Sequence, residues 1–390
     1  MVLALIDLSK AFNRVDHTLV IQDLHDMKVP AWLLRILISY LTERTMILKF
    51  RGASSSVRSL PGSSPQGVFL GCFFFMIKFN GALLRPSVPR PLPLPSPIMK
   101  SKATTCTVKY IDDATQACAI KLRDALLPDD VVRPRPLNYR ERTGHILNPL
   151  HNQLQVDLDN LKEFTDDNLM VINGKKTQIM SFNFRKTLDF PPELKIAGAG
   201  NLEVVRHTKL LGIVVSDDLK WSLHVEFMCK KASAKIWLLR RMKILNIEVE
   251  ILVDFYLKEI RSILEFGVAC WNNGLTIKQS YQIERIQKIC VNVILCDTEW
   301  EIPYKIGCTL LGVEPLYLRR KELCIRFIQK CSLNPMHSDL FTLSQNVNTR
   351  QEKQLYREFS ARTDRFYNSP LCYLTRLLNS NPVEGCPKNK

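Results

Sequence analysis

After its first methionine the chain runs Val2-Leu3-Ala4-Leu5-Ile6-Asp7, a continuous apolar stretch that ends in a carboxylate. Such a stretch is typical of a buried strand. Further along, the β-favouring run Thr107-Val108-Lys109-Tyr110-Ile111 leads into Asp112-Asp113, and we expect a hairpin over residues 105–120 with the aspartates near its tip. Carboxylates brought together from two distant strands can bind the two divalent cations that support in-line displacement at phosphorus.

Each acidic motif also has an ordinary structural explanation. Aspartate pairs are common in solvated loops, and this chain has others, such as Asp166-Asp167 and Asp217-Asp218. An aspartate that follows a buried strand is often the N-cap of a helical turn, and residues 8–12 could form such a turn. The strand-like run that precedes Asp112-Asp113 sets this pair apart from Asp166-Asp167 and Asp217-Asp218.

Hydrophobic periodicity predicts the other elements. Helices are expected at residues 15–27, 31–42, 68–84 and 154–168, and strands at 45–50, 178–184 and 209–215. From Trp221 onward the pattern becomes helical. A proline-dense stretch at 86–97 indicates a loop, and we predict two insertions, at 86–104 and 127–150. The end of the chain is polar and shows little pattern.

The charge balance points to a polyanionic partner. The 390 residues carry a formal net charge of +16 with 46% apolar residues, which suits a globular protein of two or three domains. An excess of positive charge favours nucleic acid, although it also suits a soluble basic protein without such a partner. Cations are concentrated in one predicted helix, which we expect to follow a nucleic-acid backbone. They are Lys230, Lys231, Lys235, Arg240, Arg241 and Lys243.

The cysteines favour a reducing compartment. Twelve cysteines occur without a Cys-x-x-Cys pair or zinc-finger spacing, and several lie among helical apolar residues, where a free thiol packs as a small hydrophobic group. The longest apolar stretch, Val68 to Ile77, is too short to span a bilayer. The sequence therefore predicts a soluble intracellular protein with no membrane partner, and it does not distinguish nucleus from cytoplasm.

Five motifs, in order along the chain, resemble the reverse transcriptase of non-LTR retrotransposons. Residues 5–12 resemble its first catalytic motif, residues 64–71 with Pro65-Gln66-Gly67 the second, and Tyr110-Ile111-Asp112-Asp113 the third. Residues 169–177 resemble the motif that closes the palm, and residues 209–213 the primer grip. Downstream, residues 264–271 and 283–288 resemble the helical region that follows the palm in these elements.

The resemblance implies an α+β fold, with a reverse-transcriptase-like palm of antiparallel sheet and helices followed by a helical thumb-like region. We therefore predict a palm over residues 1–216, a thumb-like region over 217–335 and a C-terminal tail region over 336–390. The same resemblance implies an RNA-directed DNA polymerase. Its partners would be an RNA template, a DNA primer and deoxynucleoside triphosphates, and its cofactor would be Mg²⁺ or Mn²⁺.

Roles for single residues follow from the same resemblance. Asp7 and Asp112 would bind the two metal ions, with Asp113 in support. Phe12 would exclude a ribonucleotide 2′-hydroxyl, although a core aromatic explains it equally well. The remaining implied contacts are to nucleotide and template (Gln66, Gly67), to phosphate (Lys175, Lys176) and to nucleic acid (Leu211, Gly212).

The family also has a fingers region and an endonuclease before its first motif, whereas Asp7 lies almost at the first residue here. We therefore expect a truncated reading frame, whose missing N-terminal part belongs to the same element, with little or no polymerase activity in this chain alone. Two other functions stay open: a catalytically inactive nucleic-acid binder that keeps the fold, and an RNA-directed RNA polymerase. Phe12 argues against the latter, because a bulky ring there disfavours ribonucleotides.

Overall fold

A computed structural model describes residues 2–60, 62–63, 69–80, 104–110, 113–119, 154–182, 193–198, 200–296, 301–334 and 356–381. The strands at 104–110 and 113–119 are described by their backbone alone. The chain divides between Arg206 and His207 into two compact units. Helices combine with small, mainly antiparallel sheets in the described residues, as the α+β class predicts.

The first unit contains a set of mostly short strands and four α-helices. The strands are β1 (Val2–Asp7), β2 (Thr45–Met46), β3 (Lys49–Phe50), β4 (Ala53–Ser54), β5 (Arg58–Ser59), β6 (Thr104–Tyr110), β7 (Asp113–Ala119), β8 (Gln178–Ser181), β9 (Lys195–Ile196), β10 (Gly200–Asn201) and β11 (Glu203–Val204). The helices are a 3₁₀ segment (Ala11–Arg14), α1 (His17–Asp26), α2 (Ala31–Leu41), α3 (Phe69–Asn80) and α4 (residues 154–167). The structure confirms several predicted elements. They are the strand at 2–7, the helices at 15–27, 31–42 and 154–168, and the hairpin at 105–120. The predicted insertions at 86–104 and 127–150 lie outside the described residues, except that Thr104 begins β6.

Five strands form the sheet of the first unit in the order β11-β8-β1-β7-β6. The central strand β1 pairs antiparallel with both β7 and β8, and β11 joins the edge parallel to β8. The hairpin β6–β7 pairs Tyr110 with Asp113, so two residues separate the strands. Because β1 is bonded on both sides, its last residue, Asp7, has a fixed position relative to both neighbours.

One hydrophobic core joins this sheet to the helices of the first unit. Along β1, Val2, Ala4 and Ile6 are buried and the alternate residues are half-buried, which is the period of two expected of a strand. The helix α3 is almost wholly apolar, yet its Lys78 is buried and donates to Asp23 of α1 at 2.9 Å. A buried charge needs such a partner, so this ion pair joins α3 to α1.

Residues 45–59 form a narrow ribbon in which every residue is exposed. The sequence predicts one strand over 45–50, whereas the structure has short strands, with β2 paired to β5 and β3 to β4. The ribbon turns back at Arg51 and Gly52, whose φ values are 47° and 86°, as in a tight hairpin turn. The single predicted strand is wrong because the ribbon has no core to pack against, and only short stretches keep regular pairing.

The second unit is a hairpin followed by helices. Its elements are β12 (His207–Leu210), β13 (Ile213–Ser216), α5 (Ser222–Ile244), α6 (Val249–Phe255), a π-helical segment (Tyr256–Arg261), α7 (Ser262–Glu265), α8 (Val268–Trp271), a 3₁₀ turn (Asn272–Gly274), α9 (Ile277–Leu295), α10 (Tyr304–Leu310), α11 (Leu316–Ser332), α12 (Asp364–Tyr367) and α13 (Pro370–Ser380). The helical pattern predicted from Trp221 onward is confirmed. A capping box begins α9, in which Thr276 and Gln279 accept each other's backbone N–H groups, the arrangement that satisfies two free donors at a helix start.

Two elements of the second unit differ from the expectation. The single strand predicted at 209–215 is the hairpin β12–β13, because Leu211 and Gly212 both have positive φ, 47° and 88°, and together reverse the chain. The polar end of the chain, which shows little sequence pattern, contains α13. Its buried leucines, Leu374, Leu377 and Leu378, join the core of the second unit.

The hairpin β12–β13 belongs to the second unit, although the predicted palm extends to residue 216. A methyl group at Gly212 would meet Phe266 Cε1 at 2.9 Å, and one at Gly267 would meet Ile213 Cδ1 at 2.6 Å. These approaches are closer than a side chain allows, so glycine at both positions lets the hairpin pack against the start of α8. The division at Arg206 and His207 therefore leaves the hairpin with the helices that follow it.

Nine cysteines fall in the part of the chain whose side chains are described, and all nine are free thiols. Burial raises the pKa of Cys290 to about 12 and that of Cys324 to about 11. In the same described part of the chain, no helix has both the length and the apolar character needed to cross a bilayer.

The second unit is expected to lose stability at alkaline pH. The folded state keeps Cys290 protonated, with a pKa of about 12, whereas the thiol in the unfolded chain ionises near its ordinary value of 9.0. Between these values the unfolded state binds fewer protons, so the unfolding free energy falls as the pH rises. Urea denaturation between about pH 8 and about pH 11 measures this slope. Cys290→Ala should make the slope less steep by the share of one thiol, because other buried thiols such as Cys324 keep the rest, and Cys296→Ala, at an exposed thiol, should leave it unchanged; equal slopes in all three proteins would contradict the assignment.

Candidate active site

The end of β1 is held by a turn from a distant part of the chain. Ser9 N donates to Val171 O, and Asn173 N donates to Asp7 O, both at 2.8 Å. The buried Thr177 hydroxyl donates to Asn173 O at 2.9 Å and accepts from Asp7 N at 3.4 Å. Both backbone polar groups of Asp7 are therefore bonded to the same turn, and this fixes the direction in which β1 ends.

Asp113 lies directly opposite Asp7 in the pairing of β1 with β7. A strand residue directs its N–H and C=O to the same neighbour, and those of Asp7 point to the turn at 173–177, away from β7. The two aspartates therefore form a non-hydrogen-bonded pair, whose Cα atoms are about 4.5 Å apart. Backbone register thus brings together two acidic positions that are distant in the sequence.

One oxygen of the Asp7 carboxylate lacks a hydrogen-bond donor. Its Oδ2 atom is buried and makes no hydrogen bond, and Lys176 Nζ lies 3.8 Å from it. Solvent weakens this ion pair, because the Lys176 side chain is 70% exposed and that of Asp7 33%. A buried carboxylate oxygen without a donor is suited to a cation, and carboxylate oxygens are the ligands that Mg²⁺ prefers.

An open cleft of about 480 Å³ lies beside Asp7. Residues 7–13 line it together with Asn173 and Lys176. The Phe12 ring is half-buried, and its centroid lies 5.0 Å from that of the buried Phe75. Phe12 therefore packs against the core and also forms part of the cleft wall.

Other predicted residues of this site are placed as follows. Gln66, Gly67 and Asp112 lie outside the described residues, and Asp113 is described by its backbone alone. Lys175 and Lys176 are both exposed, and of the two only Lys176 lines the cleft. Among the side chains that the structure describes, no group of three or more His, Cys, Asp or Glu residues could hold a metal ion.

The six cations predicted to follow a nucleic-acid backbone lie on α5, and they divide by their surroundings, with Lys243 half-buried in the last turn. At the helical period of 3.6 residues, Lys230, Lys231 and Arg241 share one exposed side of α5. Lys235 is ion-paired to Glu259 at 2.7 Å, so its charge is partly neutralised. Arg240 is exposed too and borders the same side of α5 at the edge across from Lys231, which is nine residues away.

Two aromatic rings lie among the three cations that share a side of α5. Trp237 is 62% exposed, and the guanidinium of Arg241 lies 5.5 Å from its ring centroid. Lys209 Nζ of β12 lies 5.2 Å from the ring centroid of Phe227. Cations interleaved with exposed rings are typical of surfaces that bind a nucleic-acid backbone and stack on bases.

Leu211 and Gly212 form the turn of the β12–β13 hairpin. Gly212 is explained by its φ of 88° and by the close approach of Phe266, and Leu211 is exposed at 43%. Turn geometry thus accounts for both residues, and their contact with nucleic acid stays a prediction.

Sequence reasoning assigned roles to the lysines of the motif at 173–177 and gave none to Asn173 and Thr177. Both position Asp7 through the backbone hydrogen bonds described above. The available signal was Thr177 itself, a hydroxyl residue directly before the predicted strand β8, where a buried polar side chain must find a partner.

Comparison with models of known protein families finds no match, and comparison with curated proteins finds none either. The functional interpretation therefore rests on three observations of this chain. They are the order of its motifs, the register that sets Asp7 against Asp113, and the free oxygen of the Asp7 carboxylate.

Proposed function

We propose that the first unit carries the catalytic site of a reverse transcriptase of the non-LTR retrotransposon kind, an RNA-directed DNA polymerase. The observation that supports this most is the register of β1 with β7, which sets Asp7 opposite Asp113. A two-metal polymerase needs carboxylates from separate segments at one point. The end of a central strand, beside the turn of a hairpin, provides that point here.

Asp7, Asp112 and Asp113 are the residues that would hold Mg²⁺ or Mn²⁺, and the free Oδ2 of Asp7 fits this role. When bound, the cations would lower the pKa of a primer 3′-hydroxyl and neutralise a triphosphate. The chain's own residues position the site. Asn173 and Thr177 fix the Asp7 backbone, and Lys176 supplies a cation at the cleft that can pair with a nucleotide phosphate.

The second unit would contribute contacts to the nucleic-acid backbone. Lys230, Lys231 and Arg241, on one exposed side of α5, can neutralise phosphates without reading bases. Trp237 and Phe227 can stack on bases or sugars beside them. Binding of this kind weakens steeply as salt is added, because each neutralised phosphate releases counterions.

Primer extension on an RNA template tests the proposed activity. With Mg²⁺ or Mn²⁺ and a DNA primer, we expect weak incorporation, with deoxynucleotides used in preference to ribonucleotides. Phe12→Ala should shift this preference toward ribonucleotides, because it opens the cleft wall beside Asp7. Incorporation of ribonucleotides alone by the natural sequence would favour an RNA-directed RNA polymerase instead.

A catalytically inactive nucleic-acid binder is the second candidate, and the basic, aromatic side of α5 favours it because that side requires no metal. Mn²⁺ binding separates the two candidates. Under the polymerase proposal, Asp112→Asn weakens Mn²⁺ binding. Under the alternative, it changes neither Mn²⁺ binding nor the affinity for RNA.

A further inference from the structure

A second cleft, of about 400 Å³, lies in the helical unit where α11, α13 and the turn at Asn272–Gly274 meet. Its volume falls within the range of about 300–1,000 Å³ that holds small ligands. Two cations, Lys321 and Arg376, line the cleft together with three asparagines, and none of the described residues that line it is a carboxylate. Such a lining attracts an anion and offers it hydrogen-bond donors.

Arg376 is held in place for such a contact. Its Nη2 donates to Tyr367 O at 3.0 Å, and its guanidinium carbon lies 3.7 Å from the centroid of the Tyr367 ring. A stacked arginine keeps its remaining N–H groups in a fixed plane, which suits the oxygens of a phosphate. Lys321 is exposed on α11, and no ion pair of Lys321 or Arg376 with a carboxylate occurs among the described residues.

Further donors and positive charge lie next to these two cations. The buried Arg320 donates from Nε to Asn272 Oδ1 at 3.0 Å, and Glu284, 3.7 Å from its Nη1, offsets part of the charge. Burial raises the pKa of Tyr373, while a hydrogen bond with the Asn272 side chain and the charges of Arg376 and Arg320 act in the opposite direction. The Tyr373 hydroxyl therefore stays protonated at neutral pH and can donate to an anion.

We propose that this cleft binds the phosphate group of a nucleotide-sized ligand. A phosphate accepts several hydrogen bonds at once from a guanidinium, an ammonium and a hydroxyl, and Arg376, Lys321 and Tyr373 supply these donors. The remaining volume and the asparagine amides accommodate an attached sugar or base. This site does not involve Asp7 or Asp113, so its test is independent of the proposed polymerase activity.

Calorimetric titration of the full chain with a nucleoside monophosphate, in metal-free buffer with a chelator, tests the proposal. Lys321→Gln and Arg376→Gln should each weaken binding roughly tenfold, because each removes one charge-assisted contact. Lys330→Gln is the matched control. It removes a charge from the same helix nine residues away, on the opposite side of α11, and should change the affinity less than about twofold.

Arg376→Gln could also disturb the packing on Tyr367, so two other variants keep the test decisive. Lys321→Gln removes an exposed side chain and leaves the fold intact. Arg376→Lys keeps the charge and loses the planar pair of donors, and it should bind with intermediate affinity. The proposal would be overturned if the natural sequence, Lys321→Gln and Lys330→Gln all bound the monophosphate with equal affinity. It would also be overturned if succinate competed for the cleft as well as a phosphate does.

The phosphate could belong to a free nucleotide or to the end of a nucleic acid. A short oligonucleotide with a 5′-phosphate, the same oligonucleotide without it, and inorganic phosphate distinguish these sources. If the site holds a nucleic-acid end, the phosphorylated oligonucleotide binds tighter than the monophosphate and with a steeper salt dependence. If the site holds a free nucleotide, the monophosphate binds at least as tightly. Loss of either affinity in Lys321→Gln assigns it to this cleft.

Discussion

Replacing Asp7 by asparagine is expected to weaken Mn²⁺ binding by roughly 10²-fold and to abolish the weak RNA-templated synthesis expected of this chain. Asparagine keeps the size of the side chain and one acceptor oxygen, but it removes the charge that a divalent cation needs. The backbone bonds of residue 7 to Asn173 and Thr177 do not depend on the side chain. The fold should therefore survive, and the loss can be assigned to the carboxylate.

Asp26→Asn is the matched control for this prediction. Asp26 ends α1 in the same unit, and its side chain is 69% exposed, so the same chemical change at that position should leave both Mn²⁺ binding and synthesis unaltered. Mn²⁺ binding is measured by electron paramagnetic resonance of the free ion, and synthesis by primer extension. Unchanged Mn²⁺ affinity in Asp7→Asn would exclude Asp7 as a metal ligand.

Trp271→Ala is expected to lower the unfolding free energy of the second unit by about 3–5 kcal/mol. Trp271 is fully buried at the end of α8, in the core of the second unit. Its Nε1 donates to Phe266 O at 2.9 Å, and its ring centroid lies 5.6 Å from that of the buried His224 on α5. Truncation leaves a large cavity and a backbone carbonyl without its donor.

Trp237→Ala provides the comparison, because Trp237 is 62% exposed on α5. Its removal should change the unfolding free energy by no more than about 0.5 kcal/mol while weakening RNA binding. Urea denaturation followed by far-ultraviolet circular dichroism measures both variants. A loss below about 1 kcal/mol in Trp271→Ala would mean that the ring is not the centre of this core.

The local features of the site were predictable from the sequence. An apolar run that ends in an acid predicted β1, and a β-favouring run before Asp112-Asp113 predicted the hairpin β6–β7, because strand patterns depend on neighbouring residues. The register that sets Asp7 opposite Asp113 could only be hypothesised from the order of motifs. Pairing between segments that are far apart depends on the packing of the whole unit, which a local pattern does not contain.

Elements that depend on backbone conformation or distant packing were harder to predict. Leu211 adopts a φ of 47°, which a branched side chain rarely does, so the turn inside the predicted strand at 209–215 had only Gly212 as a signal. The helix α13 packs its leucines into a core formed by preceding helices. The polar residues on either side of it obscured its helical pattern in the sequence. The hydrogen bond of Thr177 to Asp7 N depends on the packing of the turn at 173–177 against β1, which the local sequence does not show.

The claim that Asp7 and the hairpin aspartates share one metal site is tested most directly by iron-mediated cleavage. Fe²⁺ takes the place of Mg²⁺, and with ascorbate and peroxide it generates radicals that cut the backbone next to the ion. We predict cuts both near residue 7 and near residues 112–113, both suppressed by excess Mg²⁺ and both lost in Asp7→Asn. Cleavage at only one of these segments, or at neither, would contradict a shared site.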